Sequence, residues 1–337
     1  MKFKSILYAF SALAVLCVFY SAPAGAEELV AVRLAVEFVD HAACAHIARN
    51  QGWYVQAGME VDAFDSYATG MALSAALAGG GIDAAYMCLF PAINAYANAG
   101  VGLKIVSGTH LYGYGLVVNP EKVKDVQDLS APDIRLGCNR EGSPPAALLH
   151  RLVEAHDLDP GIIDRTRRMP PSKLLLSLVS GQIDAAFMPE QFPSMAETAG
   201  FKELVSAREL WPEMQGSVLV VTDRFLKAHP EAVGKLVSLT VRGIDYINAH
   251  PEDAAVIVAE ELNATGGDIF PADITGNPEA VTITPEIIGR SLGRKMVNTC
   301  RVDPEAVQKA IDYAARLGYI RKAFPAEEIL ALEWLRE

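Results

Sequence analysis

The sequence predicts an α/β protein of two lobes, each a doubly wound and mainly parallel sheet, joined by a two-crossover hinge, with a helical C-terminal part. Three observations lead to this prediction. A short motif occurs twice, and predicted strands and helices alternate around both copies. The chain of 337 residues is also too long for one compact core in most folds.

The chain begins with a segment typical of an export signal. Lys2 and Lys4 give it a positive start, an apolar run covers 6–20, and the small residues 24–26 end it. We therefore expect residues 1–26 to be a signal peptide, cleaved after Ala26, and the mature protein to be periplasmic. An uncleaved anchor is the alternative, although 15 apolar residues fall short of the roughly 20 that cross a bilayer.

The charge balance excludes two classes of partner. Without the two leader lysines the chain carries 27 basic and 41 acidic residues, a net charge of −14, and it has no basic cluster. Nucleic acid and anionic membrane surfaces are poor partners for such a field.

Four cysteines remain after cleavage, at spacings that match no zinc or redox motif. We interpret them as buried free thiols, with disulfides as the alternative. They are Cys44, Cys88, Cys138 and Cys300.

The duplication organises the rest of the chain. Residues 80–87 read GGIDAAYM and residues 181–188 read GQIDAAFM, and six of these eight positions are identical. Upstream, VRLAV at 32–36 is echoed by IRLGC at 134–138. The two lobes are therefore predicted to share one plan.

Each copy reads as strand, helix, strand, helix, strand. The first copy has predicted strands at 32–38, 59–64 and 83–87 and helices at 41–51 and 69–78. The second copy has strands at 134–138, 165–169 and 184–188 and helices at 143–155 and 171–179. Prolines at helix starts and glycines at helix ends support these bounds.

Two chain crossings connect the predicted lobes. Strands at 104–110 and 114–118 flank a Gly-rich turn where the chain should cross, and a strand at 217–222 should cross back. The remainder is predicted to be almost wholly helical, apart from a surface loop at 266–281. Its helices are expected to begin at Pro230, Pro251, Pro285, Pro304 and Pro325. Lobe one is thus residues 27–113 with 219–337, and lobe two is 114–218. Two crossings form a hinge that can close around a ligand.

Ligands bind at the carboxyl ends of the strands in such sheets, so the repeat also predicts where the site lies. We expect one cleft, lined by the segments that follow the strands. These segments are 37–41, 65–70 and 87–91 in lobe one, and 139–143, 169–172 and 189–192 in lobe two.

The order of these motifs resembles a known family. A leader, a GIDAA strand, VKDVQDL at 123–129, EGS at 141–143 and SGQIDAA at 180–186 are similar to the substrate-binding proteins of nitrate, sulfonate, taurine and thiamine-precursor ABC importers. The resemblance implies a type II periplasmic binding fold, a small-molecule ligand and an ABC importer permease as partner. It also implies a monomer without a cofactor.

Carried over by position, the family's ligand contacts fall on 38–41, 69–70, 87–88, 142–143 and 189–191. The sequence departs from the family at two of these places. Relatives often have Trp, an acidic residue and Pro at the last segment, where only Glu190 keeps the pattern. Met87 and Cys88 replace small hydroxyl residues that would hold an oxyanion.

The residue types at these positions favour a ligand that donates hydrogen bonds. Helix starts at 69–70 and 142–143 should offer free backbone N–H groups, with simple capping as the alternative for Ser143. Glu190 should accept hydrogen bonds from the ligand, so that Glu190→Ala weakens binding. A zwitterion or nitrogen heterocycle is favoured, and a sulfonate-like anion stays open. The candidate ligand-binding residues are Phe38, Asp40, His41, Tyr67, Thr69, Gly70, Met87, Cys88, His110, Tyr112, Arg140, Gly142, Ser143, Glu190 and Gln191.

Two other functions remain as alternatives. A soft metal such as copper or zinc would suit the imidazole, thiol and thioether groups near the cleft, although no pair has a recognised ligand spacing. Those groups belong to His41, Cys44, His46, Met87, Cys88, His110 and Cys138. An enzyme is disfavoured because GxSxG, HExxH and GxGxxG are absent, as is the cysteine-dense iron motif of the pyrimidine synthases that share this fold. We expect no catalytic residue and no bound metal.

Overall fold

The computed structural model describes residues 29–270 and 282–335, and within them the strands form one sheet of six and one of five. The predicted signal peptide lies outside the described residues. In chain order the strands are β1 (Val30–Glu37), β2 (Met59–Tyr67), β3 (Ala84–Cys88), β4 (Leu103–Tyr112), β5 (Tyr114–Val118), β6 (Leu136–Cys138), β7 (Arg167–Arg168), β8 (Ala185–Pro189), β9 (Lys202–Ser206), β10 (Gln215–Thr222) and β11 (Met296–Asn298).

Helices cover the faces of both sheets, and the two-sheet α/β fold class is confirmed. The helices are α1 (Ala43–Asn50), α2 (Trp53–Gln56), α3 (Gly70–Ala78), α4 (Leu89–Ala97), α5 (Pro144–Ala155), α6 (Gly161–Arg165), α7 (Pro171–Val179), α8 (Phe192–Thr198), α9 (Ala207–Leu210), α10 (Asp223–Ala228), α11 (Pro230–Ala249), α12 (Pro251–Ile269), α13 (Pro285–Arg290) and α14 (Pro304–Arg316). Within the described ranges, none combines the length and the hydropathy that a membrane-spanning helix requires.

Both sheets are mixed, with a parallel part that comes from the duplicated units. The six-stranded sheet has the order β11-β4-β10-β3-β1-β2, and the five-stranded sheet β7-β6-β8-β5-β9. β1 pairs in parallel with β2 and β3, and β6 pairs in parallel with β7 and β8. β10 pairs antiparallel with β3 and β5 with β8, while β4 and β9 pair antiparallel with β10 and β5 in turn. The expectation of mainly parallel sheets did not include these antiparallel pairs.

Gly113 alone separates the last residue of β4 from the first residue of β5, so it carries the first crossing between the sheets. Its φ is +83°, and a Cβ added there would lie 2.9 Å from His41 Nε2. β10 belongs as a whole to the six-stranded sheet, so the second crossing lies between Leu210 and Gln215, slightly before the expected boundary.

The C-terminal part is mainly helical, and α11 to α14 each begin at a proline as predicted. Three details differ from the sequence prediction. Residues 266–269 continue α12 instead of forming a loop, and 271–281 lie outside the described residues. The short strand β11 pairs with β4, and Pro325 precedes only a 3-10 turn at 326–328.

The four cysteines in the described part of the chain are free, and Cys300 is only half-buried.

Candidate functional site

A cavity of about 290 Å³ lies between the two sheets, at the carboxyl ends of their parallel strands. All six predicted segments contribute to its wall, although Met87 and Met188 themselves are core residues. The wall consists of Glu37, Val39, Ala68, Thr69, Gly70, Met71, Ala72, Cys88 and Pro91 on one side and Tyr114, Asn139, Arg140, Ser143, Pro144, Pro145, Met169, Pro170, Pro171 and Pro189 on the other. The repeat therefore marks a single cleft.

Five of the fifteen candidate residues lie on this wall: Thr69, Gly70, Cys88, Arg140 and Ser143. Thr69 caps α3, because its Oγ1 accepts the N–H of Ala72 at 3.2 Å. The N–H groups of Gly70 and Met71, in the first turn, have no acceptor within the helix. This side of the cavity can thus donate backbone hydrogen bonds.

The other helix start does not offer free N–H groups, and that part of the prediction is wrong. Ser143 caps α5 through Oγ and Ala146 N–H at 3.4 Å, while its own N–H donates to Arg140 O at 3.2 Å. Pro144 and Pro145, which follow, have no N–H. Gly142 is not on the wall, although a Cβ on it would lie 3.4 Å from Met71 Sδ.

Prolines give the cavity an apolar surface. α7 also begins with two prolines, so both helices that face the cavity from the five-stranded half present rings instead of donors. Met71 and Met169 add polarizable thioethers that favour aromatic contacts. The wall prolines are Pro91, Pro144, Pro145, Pro170, Pro171 and Pro189. A ligand body with apolar faces fits this lining.

Glu37, the last residue of β1, supplies a buried carboxyl group to the wall. Its Oε1 accepts the backbone N–H of Cys88 at 2.7 Å, and its Oε2 accepts the Cys88 thiol at 3.2 Å. Burial raises the pKa of Glu37 to about 7. A Cβ on Gly70 would come within 2.2 Å of Oε1, so only glycine permits this approach.

His41 and His110 lie behind the wall and support it. The Nε2–H of His41 donates to Gly113 O at 2.9 Å, which leaves Nδ1 as an acceptor 3.3 Å from Ser217 Oγ. The two imidazole rings are in contact, with centroids 4.2 Å apart and planes tilted by 51°. Burial lowers the pKa of both rings, to about 4 for His110, so both are neutral at physiological pH.

Two polar groups of the wall lack a partner among the described residues. Tyr114, the first residue of β5, is 2% exposed, and its hydroxyl lies near Cys88 without a hydrogen bond of normal geometry. Asn139 is 6% exposed, and its Oδ1 is also unpartnered. Buried polar groups are normally hydrogen-bonded, so these two are available to a ligand. Tyr114 was missed from the sequence, where only its position after the crossing glycine marks it.

Glu190 was the leading candidate, but the structure does not place it on the cavity wall. It is fully buried, and its Oε2 accepts the hydroxyl of Ser194 at 2.8 Å in the first turn of α8. Burial first, and then the charge of Asp40, raises the pKa of Glu190 well above its usual range. Gln191 Oε1 accepts the Asp40 N–H at 3.0 Å, so these candidates connect the two halves behind the cavity.

The remaining candidates also lie away from the wall. Phe38 and Met87 are core residues, each 1% exposed. Tyr67 packs against the core at the end of β2. Tyr112 precedes the crossing glycine, and its hydroxyl donates to the carbonyl of Pro212 at 2.7 Å. Met87 lies in the strand predicted for it, whereas Phe38 follows the last residue of β1. Tyr67 and Tyr112, expected outside the predicted strands, are the last residues of β2 and β4.

The described residues contain no group of three or more His, Cys, Asp or Glu side chains that could hold a metal ion. Among the residues of the soft-metal hypothesis, His46 faces Glu261 at 3.8 Å, and Cys44 is buried in α1. Cys138 is fully buried in β6. These three side chains are dispersed, whereas His41 contacts both Cys88, with Nδ1 3.7 Å from Sγ, and His110.

Comparison with known proteins agrees with this architecture. The alkanesulfonate-binding protein of Xanthomonas axonopodis pv. citri bound to MOPS is 16% identical and has a TM-score of 0.74, over 91% of this chain and 100% of that chain. The periplasmic nitrate-binding protein of Synechocystis is 15% identical with a TM-score of 0.72, over 91% and 87%. The resemblance inferred from the motifs, and the fold that it implied, are confirmed.

A curated relative matches part of the chain. The bicarbonate transport ATP-binding protein CmpC of Synechocystis is 24% identical over 235 residues, which cover 64% of this chain. The match spans 35% of that protein, so the chain corresponds to about a third of its length. The model of the NMT1-like family matches residues 25–262, more than half of the sequence. The chain therefore belongs to the NMT1-like family.

Proposed function

We propose that this protein is an exported solute-binding protein, which captures a small polar organic molecule between its lobes and delivers it to an ABC importer. The observation that carries the proposal is the cavity between the two sheets, whose wall comes from equivalent strand ends of the duplicated units. Its volume of about 290 Å³ suits a small molecule. The transport roles named for the similar proteins support the same function.

Binding without catalysis is favoured by the state of the wall residues. Burial raises the pKa of the Cys88 thiol well above its usual range, so it is not a thiolate nucleophile at neutral pH. The Nε2–H of His41 donates to the carbonyl oxygen of Gly113 at the crossing, and the ring is too deeply buried to serve as a base in the cavity. We propose that the ligand leaves the protein chemically unchanged.

The lobes and the location form part of the same proposal. Lobe one would comprise 27–113 together with the chain from β10 onward, which begins at 215 and not at the expected 219, and lobe two would comprise 114–210, with closure about the crossings. Cleavage after Ala26 would release a monomer into the periplasm. The leader and the periplasmic location of the similar nitrate-binding protein support this.

Native mass spectrometry of protein purified from its own periplasm tests the proposal, followed by a thermal-shift screen with amino acids, purines, pyrimidines and sulfonates. A ligand at 100 times its Kd should add about 2.7 kcal/mol of stability. Incubation should return the ligand unchanged, whereas turnover would contradict a pure binding role.

Met71→Trp gives the matching test of the cavity, because Met71 lies on its wall. An indole there should fill the space and abolish every thermal shift. Val55→Trp, at a position 62% exposed, is the control and should bind as the wild type does. Equal shifts in Met71→Trp would show that the ligand binds elsewhere.

A further inference from the structure

We propose that Glu37 determines the ligand class: its carboxyl group accepts the N-cap N–H of α4 and lies beside the first turn of α3, where an oxyanion would dock, so that the cavity rejects oxyanions and selects a ligand with N–H donors. This inference rests on the proposed function and deepens it. It assigns a role to a residue outside the fifteen candidates.

The position of Glu37 relative to two helices carries the argument. α3 and α4, each nine residues long, start at the cavity. The N–H of Cys88, the N-cap residue of α4, donates to Glu37 Oε1 at 2.7 Å. Gly70 at the start of α3 lacks the Cβ that would collide with the same oxygen. Helix N-termini attract anions, and here the protein supplies its own carboxyl group.

The opposite wall does not compensate for this carboxyl group. Pro144, Pro145 and the two prolines of α7 cannot donate backbone hydrogen bonds. Arg140 is the single basic side chain among the described wall residues, and it is exposed at the surface. An oxyanion in the interior of the cavity would therefore face a buried carboxylate, and like charges at short range repel strongly.

The unpartnered groups indicate what the ligand carries. Asn139 Oδ1 is a buried acceptor, and ionised Glu37 is a second acceptor on the facing wall. Tyr114 can donate or accept through its free hydroxyl. We infer an uncharged or cationic molecule with at least two N–H donors, of the amine or amide class. Nitrate, bicarbonate and sulfonates, named for the similar proteins, lack this pattern.

Glu37 is also the carboxyl group on the cavity wall that titrates around neutral pH. Burial raises the pKa of Asp40, which lies behind the wall, to about 7 as well, but Asp40 is present in both the wild type and Glu37→Gln. Of the groups that face Glu37, burial raises the pKa of the Cys88 thiol and the Tyr114 hydroxyl and lowers that of His41, so all three are neutral. Tyr67, beside it on β2, is neutral because burial raises its pKa as well, and Arg140 is the basic side chain on the wall. Protonation of Glu37 below about pH 7 removes the repelling charge.

Titration calorimetry with sodium nitrate and sodium ethanesulfonate tests the inference. The wild type at about pH 8 should not bind either anion measurably, whereas Glu37→Gln should bind at least one of them about tenfold more tightly. Glu60→Gln removes the same charge from an exposed position on β2 and should behave as the wild type.

A second measurement does not depend on a variant. Anion affinity of the wild type should rise about tenfold between pH 8 and pH 6, while that of Glu37→Gln stays flat. The inference is overturned if the wild type binds the anions at pH 8 as tightly as Glu37→Gln, or if neither the variant nor the lower pH increases binding.

The thermal-shift screen with Met71→Trp distinguishes failure of the inference about Glu37 from failure of the proposed function. If the wild type binds a panel compound, Met71→Trp abolishes that binding and Glu37→Gln gains no anion affinity, the cavity remains the site and only the role of Glu37 is refuted. If neither protein binds any compound or anion, both the inference and the proposed function are wrong.

Discussion

Arg135 donates three hydrogen bonds to Asp184, from its backbone N–H at 3.0 Å and from Nε and Nη2 at 2.8 Å each. Arg33 makes the same three contacts with Asp83, at 3.1, 2.8 and 2.7 Å. The aspartate of the repeated motif thus connects the first strand of each unit to its third strand, at the amino ends of the parallel strands, which are remote from the cavity. Its role is structural.

Asp184→Asn should lower the free energy of unfolding by about 2 kcal/mol, because charged hydrogen bonds contribute more than neutral ones. The side chain of Asp184 is 2% exposed and also accepts Lys122 Nζ at 2.6 Å. Urea denaturation measures the loss. Asp133→Asn, at an exposed position, is the control and should change stability by less than about 0.5 kcal/mol. Equal effects would disprove the structural role.

Acid should unfold the protein partly through Asp184. Hydrogen bonds from Arg135 hold the pKa of Asp184 well below its usual range. Since the unfolded value is about 3.9, the stabilisation is complete above that pH and is lost as pH falls below it. Between pH 6 and pH 2 the melting temperature of Asp184→Asn should fall less than that of the wild type. Parallel curves would contradict this assignment.

Gly113→Ala should destabilise the crossing between the sheets by about 1–3 kcal/mol. The φ of +83° is costly for alanine, and the new Cβ would meet the rings of His41 and His110 at 2.9 and 3.0 Å. Gly293→Ala is a matched control, since a Cβ there has open space. Chemical denaturation measures the free energy of unfolding of both variants. If Gly113→Ala loses no more of it than Gly293→Ala does, the prediction is wrong.

Lys295→Met should favour opening of the cleft, if the two lobes close about the crossings as proposed. Lys295, packed beside the six-stranded sheet, contacts Glu203 on β9 and lies 3.1 Å from Glu197 Oε1 on α8, so it bridges the two halves. Ligand affinity should fall about tenfold, and small-angle scattering should give a larger radius of gyration. Arg294→Met, at an exposed neighbouring position, controls for charge. An unchanged radius would show that this bridge does not hold the closed form.

Glu190→Gln should alter ligand affinity by less than about twofold. The carboxyl group does not reach the cavity, and its raised pKa keeps it protonated near neutral pH, which an amide imitates. The expectation that Glu190→Ala weakens binding directly is therefore replaced. Calorimetry with the ligand from the screen decides, and a tenfold loss in Glu190→Gln would restore Glu190 to the site.

The sequence predicted the backbone of the site better than its chemistry. The repeated motif and the alternation of strands and helices located all six wall segments, because strand ends in such sheets converge by topology. Periodicity does not show which residue of a five-residue loop faces inward. Glu37 lies on the wall, whereas Phe38 next to it enters the core.

Two other failures have physical causes that are specific to this chain. Pro144 and Pro145 occupy the first turn of α5, where neither can donate an N–H, so the donors predicted at this helix start are absent. The position of Glu190 in the family pattern predicted a ligand contact. Ser194, one helical turn further on, instead donates a hydrogen bond to the carboxyl group of Glu190. The strand β11 was too short for any pattern to reveal.

The two sheets differ in how much of the chain each needs before it can form. The five-stranded sheet is complete once residue 206 has been made, since its strands are contiguous in sequence. The six-stranded sheet lacks its internal strand β10 until residue 222 has been made and its short edge strand β11 until residue 298. The five-stranded sheet should therefore form first during synthesis, and β3 and β4 should be joined through β10 only afterwards.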